Sequence, residues 1–188
     1  GSADEFQIII PARALLELSR VLPDGKGQDE SVEIAVTPNR NQVIFRTASV
    51  ELVSRLLEGQ FPNYKQIMPT EWKTQAVVAT GAFLNATRTA SFFARDSANI
   101  VRLHIEQGEL KVSATSSELG DNESIMDAVV EGEAADIAFN ARYLGDALGV
   151  VDSEQVKLEM VSSGAPGVIK PVDSTDYVHI IMPMATTR

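Results

Sequence analysis

An α+β fold, built from repeated β-α-β-β-β units with helices on one face of antiparallel sheets, is what this sequence predicts. Three observations lead there. Short alternating apolar runs recur along the chain, each suited to a half-buried strand. Three stretches with apolar residues at helical spacing interrupt them, within "PARALLELSRVL", "GAFLNATRTASFFARD" and "ARYLGDALGVV". The order strand, helix, three strands then comes three times, at a period of roughly 55 to 60 residues.

The first unit opens on "FQIII", short and apolar, read as a strand. Pro11 follows, well placed in the first turn of a helix. In "PARALLELSRVL" Leu15, Leu18 and Leu22 fall on one side at about 100° per residue. "PDGKG" stops the helix. "SVEIAVT" sets Val32, Ile34 and Val36 on one face and Glu33 on the other. "PNRN" turns the chain into "QVIFRT", and "SVELVSRLL" supplies a third strand.

The second unit begins with "TQAVVAT" as strand and "GAFLNATRTASFFARD" as helix. "NIVRLHIE" alternates through Val101, Leu103 and Ile105, and "ELKVSATS" returns through Leu110, Val112 and Ala114. "ESIMDAVVEG" completes it. The third has "ADIAFN", the helix "ARYLGDALGVV", and "EQVKLEMV" through Val156, Leu158 and Met160. "GVIKPV" and "YVHIIMP" finish it. A helix across an antiparallel sheet is a layered α+β architecture. Two such units make a natural pseudo-symmetric domain, and a third is left unmatched. The boundary is expected in "GQFPNYKQIMPTEWK", stiffened by Pro62 and Pro69, giving domains 1–70 and 71–188. The leading Gly1-Ser2 reads as the scar of a cleaved tag on a piece of a longer protein.

Composition narrows the function. With no cysteine, disulfides and thiolate metal sites are excluded. Two histidines, His104 and His179, offer no metal or catalytic cluster, and neither metal nor cofactor is expected. His104, in "VRLHIEQ", reads as a solvent-facing strand residue. Apolar runs of about five residues fall far short of the roughly 20 a membrane helix needs; the lack of cysteine fits a reducing cytoplasm, and a cytoplasmic setting is expected. A small acidic enzyme using Asp136 and Asp146 is the least supported class, because the sequence has no glycine-rich phosphate loop and no His or Cys cluster.

The formal net charge of −10 argues against nucleic acid on average, unless the basic residues share one face. With Arg13 at zero degrees on the first helix, Arg20 falls at about 340°, while Leu15, Leu18 and Leu22 gather near 180°. Arg88 and Arg95 repeat that spacing on the second helix, opposite Ala86, Ala90 and Phe93. Arg142 lies opposite Leu144, Ala147 and Val151 on the third. One such arginine face is ordinary solvated surface. Three on equivalent helices predict a guanidinium row facing phosphates, with Arg13, Arg20, Arg88 and Arg95 on one concave surface and the acidic residues elsewhere. Phe92 falls near 40°, on the arginine side, and is a candidate subunit contact.

Together "LLEGQFPNYKQIMP", "SIMDAVVEGEAADIAFNARYLGDAL" and the terminal "YVHIIMPM" resemble the bacterial DNA polymerase sliding clamps, the beta subunits of replicative polymerases. The resemblance runs from about Phe6 to Met184. It implies the DNA-clamp fold, with the first unit matching the second half of the middle domain and the other two the whole C-terminal domain. It further implies a non-enzymatic processivity factor, a head-to-tail homodimer when full length. Such a ring encircles duplex DNA without sequence preference and tethers the replicative polymerase, clamp loader and repair proteins through short linear peptides. An interaction scaffold without a DNA role is the alternative.

By resemblance, the peptide groove takes Pro62, Gln66 and Ile67 from the linker and Ile180, Ile181, Met182, Pro183 and Met184 from the last strand. Methionine, flexible and polarizable, suits a surface with many clients. One alternating set of that strand is expected to serve the core and the other the groove. Gln66 stands where the family commonly has Arg, and Ala185 where a basic residue often follows Met-Pro-Met; both weaken charge pairing with a peptide. Phe92 and Phe93 match apolar positions of the subunit interface, although the helical wheel gives Phe93 to the core.

Overall fold

The computed structural model describes residues 7–22, 31–59, 61 and 63–185. The chain divides into two compact units, Gly1–Asn63 and Tyr64–Arg188, a division earlier than the expected 70/71.

The first unit holds helix α1 (Ala12–Val21) and strands β1 (Glu33–Val36), β2 (Gln42–Arg46) and β3 (Glu51–Arg55), an antiparallel sheet in the order β1-β2-β3. Register places Ile34, Phe45 and Leu52 opposite one another, with Val36 and Val43 on the same face. Val43 and Phe45 are buried, while Ile34, on the edge strand, stays 55% exposed. The alternation in "SVEIAVT" names the correct face but cannot say that it lies at an edge.

Two expectations change here. Residues 7–10 form no strand; the segment is tied by the Leu57 N–H donating to the Ile9 carbonyl at 2.9 Å. Helix α1 buries none of its residues, and Leu15 and Leu16 are exposed. Helical spacing fixes which side of a helix is apolar, not whether a surface exists to cover it.

The second unit begins with one helical turn, α2 (Tyr64–Ile67). It then runs β4 (Thr74–Ala79), α3 (Thr80–Ala94), β5 (Ile100–Glu106), β6 (Glu109–Ser116) and β7 (Gly120–Gly132), followed by β8 (Ala135–Asn140), α4 (Ala141–Leu148), β9 (Gln155–Met160), β10 (Gly167–Pro171) and β11 (His179–Ile181). These are two consecutive β-α-β-β-β units, as the periodicity predicts. Their strands join in one antiparallel sheet, β11-β10-β9-β4-β7-β6-β5-β8.

The two units interlock by a shared rule. Strand β7 pairs with β6 through Asp127 and then crosses to β4 from Ala128 to Gly132. The chain after β11 repeats the crossing: Gly167 to Ile169 of β10 pair with β11, and beyond it the Met184 N–H donates to the Ala138 carbonyl of β8 at 2.8 Å. Pro183, lacking an N–H, holds this second crossing to a short contact. Likewise β4 pairs with β9 of the other unit, and β8 with β5.

Alternation sets the core. Val101, Leu103, Ile105, Leu110, Val112, Val156, Leu158 and Met160 are essentially inaccessible, each worth roughly 1.5–3 kcal/mol of burial. Helix α3 lies over β5, β6 and β7 and beside α4. Its buried stripe includes Phe83 and three alanines, Ala86, Ala90 and Ala94, which are small enough for close approach. Helix α4 buries Leu144, Ala147 and Leu148, and its first turn is capped by Arg142 N–H donating to Asn140 Oδ1 at 3.0 Å. Gly132 takes φ +93°, and a Cβ there would collide with the Lys73 carbonyl, so only glycine ends β7 this way.

Candidate functional site

Helices α3 and α4 lie side by side, and three arginines stand at the seam between them. Arg88, Arg95 and Arg142 line one open depression of about 300 Å³, together with Thr87, Gly145 and Asp146. The sequence reading placed these arginines outward, and they are exposed; that α3 and α4 are neighbours is what gathers them. Arg142 lies 4.0 Å from Asp146, one helical turn on, and both are well exposed. A pair so solvated contributes little to stability. On β11, burial pushes the His179 imidazole below its ordinary pKa, and the Asp146 charge partly opposes that.

Arg13 and Arg20 belong to the first unit, on α1. Both are exposed, and Arg20 donates to Glu17 at 2.7 Å across an exposed i, i+3 pair. That contact engages one side of the guanidinium and leaves the rest to solvent.

Charge is sorted across the second unit. Helix α3 covers the inner face of the sheet, and the outer face carries Glu106, Glu109, Glu123, Asp127, Glu131, Asp136 and Glu159 against Arg102, Lys111, Lys157 and Lys170. His104 sits in this layer, its Nδ1–H donating to Asp136 Oδ1 at 2.8 Å and its Nε2 lying 3.5 Å from Glu106 Oε2. Its hydrogen bond to Asp136 holds the imidazole above its ordinary pKa, against a smaller desolvation effect. His104 is therefore half-exposed and hydrogen-bonded to a carboxylate, not a bare solvent-facing residue.

Phe92 is 54% exposed beside the arginine seam, with the Arg95 guanidinium 5.0 Å from its ring centroid. Phe93 turns inward and packs against the core. The two phenylalanines therefore divide between surface and interior, as the helical wheel predicts.

The terminal run also divides. Ile181 is buried among core residues, close to Phe139 and Gly167, so its side chain does not line a surface. Ile180, Pro183 and Met184 are half-buried and Met182 is 60% exposed. The inward member is thus Ile181, with Ile180 and Met182 on the other side of the strand. Met184 and Ala185 edge a depression of about 480 Å³ with Arg102, Asp136, Ser163 and Gly164. Gln66 and Ile67 are exposed on α2, and Pro62 lies outside the described residues, as do Thr186, Thr187 and Arg188.

Sequence reading missed Thr87 and Gly145 as partners of the arginines, and considered Asp146 only as a catalytic carboxylate. The signal was available in part. Thr87, Ser91 and Arg95 follow at steps of four along one helix face, and Arg142 and Asp146 do the same on the next.

Comparison with known proteins bears on the family and the fold. Residues 65–185 match the family described as DNA polymerase III beta subunit, C-terminal domain, and residues 1–63 match its central domain. The beta sliding clamp of Staphylococcus epidermidis is 33% identical over 186 residues, which cover 98% of this chain and 48% of that protein. That of Staphylococcus aureus is 32% identical over the same extent. Among solved structures, the DNA polymerase III beta chain of Streptococcus pneumoniae superposes with a TM-score of 0.83 at 30% identity, over 99% of this chain and 49% of that one. A Pseudomonas aeruginosa DNA polymerase sliding clamp gives 0.81 at 27% identity, covering 99% and 50%. The chain thus spans about half the length of the relatives it matches.

Proposed function

Because this chain belongs to the DNA polymerase III beta subunit family, we propose that it serves as part of a sliding clamp, a non-enzymatic processivity factor. The clamp is a homodimeric ring in the cytoplasm that surrounds duplex DNA and tethers the replicative polymerase. Topology retains the DNA in such a ring, so individual phosphate contacts can be weak and exchangeable, and sliding requires no reading of bases.

The observation that carries this reading is the segregation of charge in the second unit. Arg88, Arg95 and Arg142 gather on the helix layer, while carboxylates outnumber cations on the outer sheet face. A protein of net charge −10 can approach DNA only if its cations are collected in this manner. Arg13 and Arg20 on α1 extend the same role to the first unit.

Client proteins, including clamp loader and repair factors, dock through short peptides on Gln66, Ile67, Ile180, Met182, Pro183 and Met184, with Pro62. The exposed thioether of Met182 supports that role, since it is free to repack around different apolar side chains. Ile181 contributes from beneath, by fixing the strand. Exposed Phe92 contributes to the subunit interface, and Phe93 supports it from the core.

Replacing Arg13, Arg20, Arg88 and Arg95 by Glu in the full-length protein is expected to abolish stimulation of a polymerase on long primed templates while the dimer persists. Undiminished processivity in that variant would refute the DNA-facing assignment.

A further inference from the structure

We propose that the depression between α3 and α4 is a binding site for a single phosphate group, and that Asp146 keeps its affinity low. Assigning that phosphate to the DNA backbone rests on the clamp reading; the site itself rests on geometry.

Three guanidiniums, from Arg88, Arg95 and Arg142, line one concavity. Arginine supplies planar, permanently charged donor forks that match phosphate oxygens. Arg95 lies over the Phe92 ring, an arrangement that restrains its plane while leaving its edge N–H groups free to donate.

Two further observations point to an occupant. Thr87, which lines the depression, is 1% exposed, and its hydroxyl has no hydrogen-bond partner. Buried hydroxyls are normally satisfied, and this one, in the lining of the depression, is left without a partner. Gly145 lies inside α4 and also lines the depression, yet a Cβ added there would meet nothing within 4 Å. Glycine is less favourable than alanine in a helix interior, and here neither backbone conformation nor packing calls for it. An open floor beneath a bound group accounts for it.

Asp146 stands within the same lining, 4.0 Å from Arg142. A carboxylate beside a phosphate opposes binding and returns the guanidinium to an internal partner when the phosphate leaves. Such a group suits a contact that must be released at every step of sliding.

The test uses arginine side-chain NMR on this chain, titrated with inorganic phosphate at constant ionic strength and separately with a short DNA duplex. The Nε–Hε signals of Arg88, Arg95 and Arg142 are expected to move together. Gly145→Leu, which fills the floor with a better helix former, is expected to abolish that response without lowering the melting temperature. Asp146→Asn is expected to tighten binding about three- to five-fold, the factor for removing one repulsive charge in water at short range. Equal shifts with chloride, or a phosphate or duplex response that survives Gly145→Leu, would overturn the site while leaving the clamp reading untouched. Unchanged affinity in Asp146→Asn would overturn the role given to that carboxylate. A response to phosphate but not to duplex would keep the site and remove DNA as its source of phosphate.

Discussion

Replacing Ile181 and Met182 one at a time should separate a core residue from a surface residue across a single peptide bond. Ile181 is 3% exposed and belongs to the main core cluster. Its surroundings are rigid: Gly167 of β10 is so close that a Cβ built on it would lie 2.5 Å from Phe139 Cζ and 3.5 Å from Ile181 Cγ2. Truncation to alanine removes three carbons, worth about 2.4 kcal/mol at ~0.8 kcal/mol each. A residual cavity adds to that, because β10 is held by ladders on both sides and cannot collapse inward. The total is about 3–4 kcal/mol. In a domain of this size that lowers the thermal midpoint by roughly 10 °C. Met182, 60% exposed, should cost less than about 0.5 kcal/mol on the same substitution. In the full-length protein it should instead weaken binding of a client peptide severalfold. Calorimetry of the parent, Ile181→Ala and Met182→Ala measures the stability contrast, and fluorescence anisotropy with a labelled peptide measures the binding contrast. Equal melting temperatures for the two variants would refute the inward and outward assignment of the last strand.

The two histidines should act on stability with opposite signs. His104 has its pKa raised by its bond to Asp136, so its contribution is complete below about pH 6.5 and is lost as pH climbs through the raised value. Asp136→Asn should flatten that limb of the urea midpoint plotted against pH, and an unaltered limb would remove the role of the pair. His179 has its pKa lowered by burial, so the folded state is favoured above about pH 6.5 and weakened as pH falls through the lowered value. Proton NMR titration of the two imidazoles should bracket the ordinary value, His104 above and His179 below. Gly132→Ala should destabilise the second unit by about 3 kcal/mol or more, through its φ of +93° and the collision with the Lys73 carbonyl; urea unfolding would register it.

The sequence by itself determined the repeat, the sheet faces and the helix faces, since each depends on a period of two or 3.6 residues carried by neighbouring side chains. Val101, Leu103 and Ile105, or Leu144 and Ala147, could be placed inside from spacing alone, and the clamp family could be recognised from its linker and terminal runs. Tertiary structure decided what depends on neighbours remote in the chain. It left Leu15 and Ile34 exposed because an apolar stripe does not create its own cover. It turned Ile181 inward and Met182 outward because β11 pairs with β10 in one register, and an alternating run of Ile and Met is apolar in either phase. It gathered Thr87, Gly145 and Asp146 around the arginines because α3 and α4, far apart in sequence, pack side by side, and periodicity carries no information about which two helices meet.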